Sequence, residues 1–241
     1  MSDELRIVRA GSLRSACRIS GPDTGPPLLL LHALGEDSRD WAGVAPALAR
    51  THRVHALDLR GHGRTEWPGT YSVEAMRDDV LGHLDALGLD RVDVVGHSMG
   101  GVVAALLAMH RPARVRRLVL EDVPLLRPRE PKPATRPDGE LSFDWAVVAA
   151  VRAQLDHPDP AWAQGLRNIT APTLAVAGGP ASHVPQEDIA ELVRRVPDAR
   201  LVTIPAGHLV HHARPQEFLA AVLPFLGGDT DRRDGRDLDL D

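Results

Sequence analysis

A doubly wound, mostly parallel α/β sheet is the fold this sequence predicts, on three observations. Short apolar runs recur along the chain, stretches of helical periodicity separate them, and a serine turn joins one run to the most apolar helix. The first run is Leu28–Leu31, behind Gly25-Pro26-Pro27. Arg53–Leu57, Arg91–Val95, Val115–Leu120, Thr173–Ala177 and Leu201–Ile204 are alike. Runs this short suit strands buried on both faces of a parallel sheet. Tyr71–Leu87 places Val73, Met76, Val80, Leu84 and Leu87 three or four apart, as a helix with one apolar face does. Met99–His110 is apolar all round and stops before Pro112, the pattern of a buried central helix. Gln186–Val196 and Pro215–Leu226 read as further amphipathic helices. Strand and helix in alternation give right-handed crossovers. Arg6–Arg9 and Leu13–Ile19 predict an antiparallel hairpin at one edge. The gap between Asp122 and Pro172, about 50 residues, is too long for a loop. It predicts a small helical lid insertion over residues 123–168, with Phe143–Leu155 as its main helix. Within it, Pro124–Gly139 is too rich in Pro, Arg and charge to pack as a core element.

Composition bounds the function. Residues 1–226 read as one domain, and 227–241, with six Asp and three Arg, as a disordered acidic tail. Hydrophobic residues make up 43% and aromatics only 3%, so the core rests on Val, Leu, Ile and Ala. The net charge is -5, Lys132 is the only lysine, and Arg and Asp are interspersed without a basic stripe. That pattern argues against a nucleic-acid partner. Cys17 is the only cysteine, so neither an intrachain disulfide nor a cysteine-based metal site is expected. Met1-Ser2-Asp3-Glu4 is acidic and no apolar run follows it, which argues against a signal peptide. The strongly apolar stretches Leu28–Leu31 and Gly100–Met109 fall short of the roughly 20 residues of a membrane span. A cytoplasmic protein with no membrane partner is the expectation.

The strongest chemical signal is Gly96-His97-Ser98-Met99-Gly100-Gly101. It follows Val92–Val95 and opens the helix Met99–His110, so this G-x-S-x-G stands in a strand-turn-helix context. The turn strains the serine backbone, and side chains at the flanking glycines would clash. Ser98 is thereby lifted to the C-terminal edge of the sheet, before the positive end of a helix.

With these residues the chain resembles the α/β-hydrolase fold superfamily, in its compact esterase and haloperoxidase-like branch, over about residues 5–226. His32-Ala33-Leu34-Gly35 stands where that family carries H-G-x-G. Asp58-Leu59-Arg60-Gly61-His62-Gly63 matches its D-x-R-G-x-G turn, read as structural, and Ala206-Gly207-His208 stands where it places the catalytic histidine. The resemblance implies Ser98 as nucleophile, His208 as general base, and the backbone amides of Leu34 and Met99 as oxyanion hole. Ala33 replaces the usual glycine, which restricts positive φ there. The loop after Thr173–Ala177, where most members carry the acid, has no carboxylate, and Asp188 lies a turn into the next helix. A minority carries the acid one strand earlier. There the chain offers Asp122, the first choice, and Glu121, the second; a Ser–His dyad without acid is the third option.

Other residues have weaker readings. His211 and His212 lie close to His208, but no carboxylate or cysteine nearby completes a ligand set, so no metal is expected. They are read as a helix N-terminus flanking the pocket, and His97 as a packing residue. His32, Asp37, Ser38 and Trp41 are candidates for the pocket or its mouth. Trp145 serves either as a lid residue or as the anchor of the lid helix. The expected function is hydrolysis of a small ester or thioester substrate through an acyl-enzyme, without a cofactor. A non-hydrolytic enzyme on the same scaffold (lyase, cyclase or cofactor-free haloperoxidase) and a ligand-binding receptor are the alternatives.

Overall fold

The computed structural model describes residues 4–227 apart from Lys132. Eight strands form one sheet: β1 (Glu4–Ala10), β2 (Leu13–Ser20), β3 (Pro27–Leu31), β4 (Arg53–Leu57), β5 (Val92–His97), β6 (Val115–Glu121), β7 (Thr173–Ala177) and β8 (Ala199–Thr203). Their order is β1-β2-β4-β3-β5-β6-β7-β8. The β1–β2 hairpin is antiparallel and β2 pairs antiparallel with β4. From β4 to β8 every pairing is parallel. The helices are α1 (Ala45–Leu48), α2 (Val73–Ala86), α3 (Met99–His110), α4 (Trp145–Asp156), α5 (Pro160–Gly165), α6 (Gln186–Arg195), α7 (Val210–Ala213) and α8 (Pro215–Gly227). Among the described residues no helix is long and apolar enough to cross a membrane.

The continuous apolar runs are explained by two cores, one on each face of the sheet. Leu29 and Leu31 of β3 join Val94, Leu118 and Leu120 in the core under α2, α3 and α4. Leu28 and Leu30 point the other way, with Val95, Val119 and Val176, toward Trp41 and Phe218. Because alternate residues serve opposite faces, neither set can be polar. The same logic accounts for α3, which is buried from Met99 to Ala108.

Element ends follow from capping. Ser72 accepts the amide of Ala75, so α2 starts at Val73 rather than Tyr71. Asp144 accepts the amide of Ala146, so the main lid helix starts at Trp145 rather than Phe143. The lid insertion holds a second helix, α5, that the sequence reading did not separate. The last strand begins at Ala199, two residues before the apolar run, because β8 is an exposed edge whose pairing with β7 sets its length. The short helices α1 and α7, and the 3-10 helix Ser38–Gly43, span too few residues to show a period. Helix α8 extends to Gly227, the first residue of the segment read as a tail. The rest of that segment lies outside the described residues.

Candidate active site

The parallel strands β3, β5, β6, β7 and β8 end at one edge of the sheet, and the singled-out residues follow those ends. Ser98 caps α3 with φ 51° and ψ -117°, a left-handed conformation that costs an L-residue of order 1–3 kcal/mol. Its amide donates to the Glu121 carbonyl at 3.0 Å. The flanking glycines are dictated by close approach. A Cβ at Gly96 would lie 2.5 Å from the Gly100 carbonyl oxygen, and one at Gly100 would lie 2.3 Å from that of Leu31. Met99 supplies the first amide of α3, one of the four that have no partner inside a helix.

His208 follows β8 behind Gly207, whose φ is 78°. Its Nδ1–H donates to Asp122 Oδ2 at 2.8 Å, since an ionised carboxylate only accepts. Nε2 then carries the lone pair that a general base needs. His208 keeps 21% of its side-chain surface exposed, while Asp122 is fully buried. His97, the residue before Ser98, donates from Nε2 to the His208 carbonyl at 2.9 Å. The histidine loop is thus tied directly to the serine turn.

Asp122 also has a positive φ, 51°, and its amide donates to the Val176 carbonyl at 2.8 Å. Its Oδ1 accepts the Gly178 amide at 2.8 Å, and Oδ2 accepts the Ser182 hydroxyl. Burial alone would raise the Asp122 carboxyl. The donations from His208, Ser182 and Gly178 outweigh it and hold the group below the ordinary carboxylate range. Glu121 is turned elsewhere. It accepts the His211 amide at 2.9 Å and the His211 Nδ1–H at 2.8 Å, so it braces α7 and does not touch His208. Gly178 and Ser182, which sequence reasoning missed, come from the loop after β7 that lacks a carboxylate. A Cβ at Gly178 would lie 2.0 Å from the Gly207 carbonyl oxygen, so that loop packs as a cradle around Asp122. His183, also missed, packs its ring 4.3 Å from that of His208, tilted by 58°.

The loop carrying Leu34 is held by the turn after β4. His32 donates from Nδ1 to the Ala33 carbonyl at 2.7 Å and accepts the Leu59 amide on Nε2 at 2.9 Å. With both nitrogens bonded and no exposed surface, His32 is a brace and not a pocket residue, which corrects that reading. His62 accepts the Gly35 amide on Nε2 at 3.2 Å, Asp58 accepts the Ser38 amide at 2.7 Å, and Arg60 forks onto Asp79 at 2.6 and 2.7 Å. Burial drives the His62 imidazole down to about 3, keeping that nitrogen an acceptor. Ala33 is not among the residues with positive φ; the turn takes that conformation at Gly35. Alanine is therefore tolerated where the family's pattern has glycine. Asp37 caps the 3-10 helix and pairs with Arg39, and Trp41 is fully buried, so both serve structure. Phe143 stacks on His62, with Trp145 6.3 Å beyond, and Trp145 packs against the main core. Of its two readings, this contact is the anchor.

A third cluster surrounds α7. His211 stacks on Trp41 and lies between Glu121 and Asp40, while His212 Nε2 is 2.6 Å from Asp40 Oδ1. The carboxylate judged missing beside these histidines is supplied by Asp40, 172 residues earlier in the chain. Burial would lower the His211 imidazole, but Glu121 and Asp40 push it up to about 10. Positive charge is favoured between them.

The sequence model of the alpha/beta hydrolase fold matches residues 26–146. The chain is 30% identical to the sn-1-specific diacylglycerol lipase ABHD11 of Mus musculus, over 86% of this chain and 83% of the relative. It is 28% identical to a pimeloyl-[acyl-carrier protein] methyl ester esterase of Aeromonas hydrophila, over 84% of this chain and 96% of that protein. Among solved structures, the enol-lactonase of Burkholderia xenovorans superposes with a TM-score of 0.82 at 23% identity, over 92% of this chain and all of that one.

Proposed function

Since this chain belongs to the alpha/beta hydrolase fold family, we propose that it is a serine hydrolase cleaving a small ester or thioester through an acyl-enzyme. Ser98 is the nucleophile, His208 the general base and Asp122 the acid. The observation that carries this reading is the 2.8 Å bond between His208 Nδ1 and Asp122 Oδ2, with the strained Ser98 on the adjoining strand end. Two of the relatives named above are an ester-cleaving lipase and an esterase, which favours ester over other acyl chemistry.

In the proposed cycle, His208 Nε2 takes the Ser98 hydroxyl proton as Oγ attacks the acyl carbonyl. Asp122 stabilises the imidazolium that forms and fixes its tautomer. The amides of Met99 and Leu34 receive the oxyanion, each worth roughly 2.7–4 kcal/mol in the transition state. His208 then protonates the leaving group, and it activates the water that releases the acyl chain.

The test is covalent labelling with a fluorophosphonate probe, read by intact mass, beside hydrolysis of p-nitrophenyl acetate and butyrate. Wild type is expected to gain one adduct and turn over both esters, while Ser98→Ala and His208→Ala lose turnover. Undiminished hydrolysis by Ser98→Ala would sink acyl transfer through this residue. A folded but inert wild type would favour the lyase, cyclase or receptor alternatives.

A further inference from the structure

Behind the histidine loop, Asp40, His97, His211 and His212 converge from three separate stretches of chain. Asp40 comes from the 3-10 helix after β3, His97 from the end of β5, and the other two from α7. Three of their polar atoms are buried without a hydrogen-bond partner: Asp40 Oδ2, His97 Nδ1 and His211 Nε2. Such atoms are costly, at about 1–3 kcal/mol each. His97 gives its Nε2–H to the His208 carbonyl, so a neutral ring has a lone pair at Nδ1. That lone pair stands 3.9 Å from Asp40 Oδ2, an acceptor facing an acceptor.

His211 repeats the pattern. Glu121 takes its Nδ1–H, so Nε2, 3.4 Å from Asp40 Oδ1, is the nitrogen left to bind a metal once its proton is displaced. A carboxylate holding the far nitrogen of an imidazole is the outer-shell arrangement that orients metal-ligating histidines. The near atoms of Asp40, His211 and His212 all lie within 4.8 Å of one another. Tetrahedral zinc with bonds of about 2.0–2.1 Å sets its ligands roughly 3.3 Å apart. Two buried carboxylates, Asp40 and Glu121, also face this point. A dication balances both charges, whereas a proton on His211 leaves Asp40 Oδ2 and His97 Nδ1 unserved.

We propose that Asp40, His211 and His212 form a zinc-binding site, with His97 Nδ1, 3.9 Å from Asp40 Oδ2, as a fourth donor and Glu121 as the outer partner of His211. Imidazole with carboxylate suits Zn²⁺ better than Ca²⁺ or Mg²⁺, which take oxygen ligands. His212 is half exposed and provides the way in. Through His97 the ion would fix the stretch that carries His208, so its role is structural. The site is separate from the serine chemistry and does not depend on it.

The test is calorimetric titration of the full chain with ZnCl₂ after chelator treatment and dialysis. Wild type is expected to bind one equivalent, with a raised Tm. His212→Gln and Asp40→Asn should each weaken binding at least tenfold, while His183→Gln, beside His208, leaves it unchanged. Co²⁺ in place of Zn²⁺ should give the visible bands of a tetrahedral site in wild type and lose them in His212→Gln. The position of His212 at the surface makes that variant a fair test even if Asp40→Asn fails to fold. No uptake by wild type overturns the proposal. So does uptake that survives His212→Gln, or that His183→Gln abolishes.

Discussion

Asp122 and Glu121 are neighbours in sequence and do different work. The alternation of a strand sends their side chains apart, and the positive φ of Asp122 completes the separation. Asp122 reaches His208, Ser182 and Gly178, and Glu121 reaches His211. The sequence shows both carboxylates at the strand end but not this division, because the deciding partners lie 56 to 90 residues away. Ser98 and His208 were legible because a glycine-bounded turn and a histidine behind a glycine are local features. Ser182 was not, since nothing in Ala181-Ser182-His183 announces a contact with β6. Its hydroxyl holds the Asp122 carboxylate in the orientation that His208 Nδ1 meets, so Ser182→Ala should reduce kcat for p-nitrophenyl butyrate about 5- to 10-fold with KM little changed, the scale of one ordinary hydrogen bond of about 1 kcal/mol. A steady-state comparison of the two enzymes checks it. Full retention of kcat would make Ser182 a loop-folding residue only.

The elements are tied together at points that periodicity cannot reveal. The start of the lid docks on the brace of the Leu34 loop: Ser142 accepts the Gly63 amide at 2.7 Å, and Tyr71 donates its hydroxyl to Asp144 Oδ2 at 2.6 Å. Asp144 is also the cap of α4, so one carboxylate joins the lid helix to the segment before α2. Tyr71→Phe should lower stability by about 1–2 kcal/mol, the cost of a charge-assisted bond in a half-buried setting, with the loss read from urea denaturation. Asp144→Ala should cost at least as much, because it removes the cap as well. The turn at Ser98 is less forgiving. At Gly100 a methyl group would strike backbone of β3, which cannot rotate away. Gly100→Ala is expected to destabilise by about 3 kcal/mol or more, or to leave no soluble product, as thermal unfolding and expression would report. Here sequence reasoning reached the reason for the glycines, and the structure supplies the atoms they avoid.

At the scale of the whole molecule, the buried histidines give the fold a definite response to acid. His55, His62 and His83 are held low by burial, the first and last to about 4 and His62 to about 3. In the unfolded chain each titrates near 6.5. A folded value below the unfolded one means the unfolded state binds more protons as the pH falls, so stability drops from about pH 6.5 downward. Each group should cost about 1 kcal/mol between pH 7 and pH 5.5. Tm measured across that range should fall steadily, and more shallowly in His55→Leu, where the titrating group is gone; a flat profile would mean these rings are hydrated. The sheet itself, by contrast, was open to sequence reading, though its strand order was not: continuous apolar runs specify a sheet covered on both faces, and that sheet brings Ser98, Asp122 and His208 to one edge. The most direct test of that convergence is kcat/KM for p-nitrophenyl butyrate in Asp122→Asn and Glu121→Gln, both checked for folding. With Asp122 as the acid, Asp122→Asn falls about 10³- to 10⁴-fold while Glu121→Gln stays within about tenfold of wild type. The reverse pattern, or an Asp122→Asn enzyme as active as wild type, would contradict it.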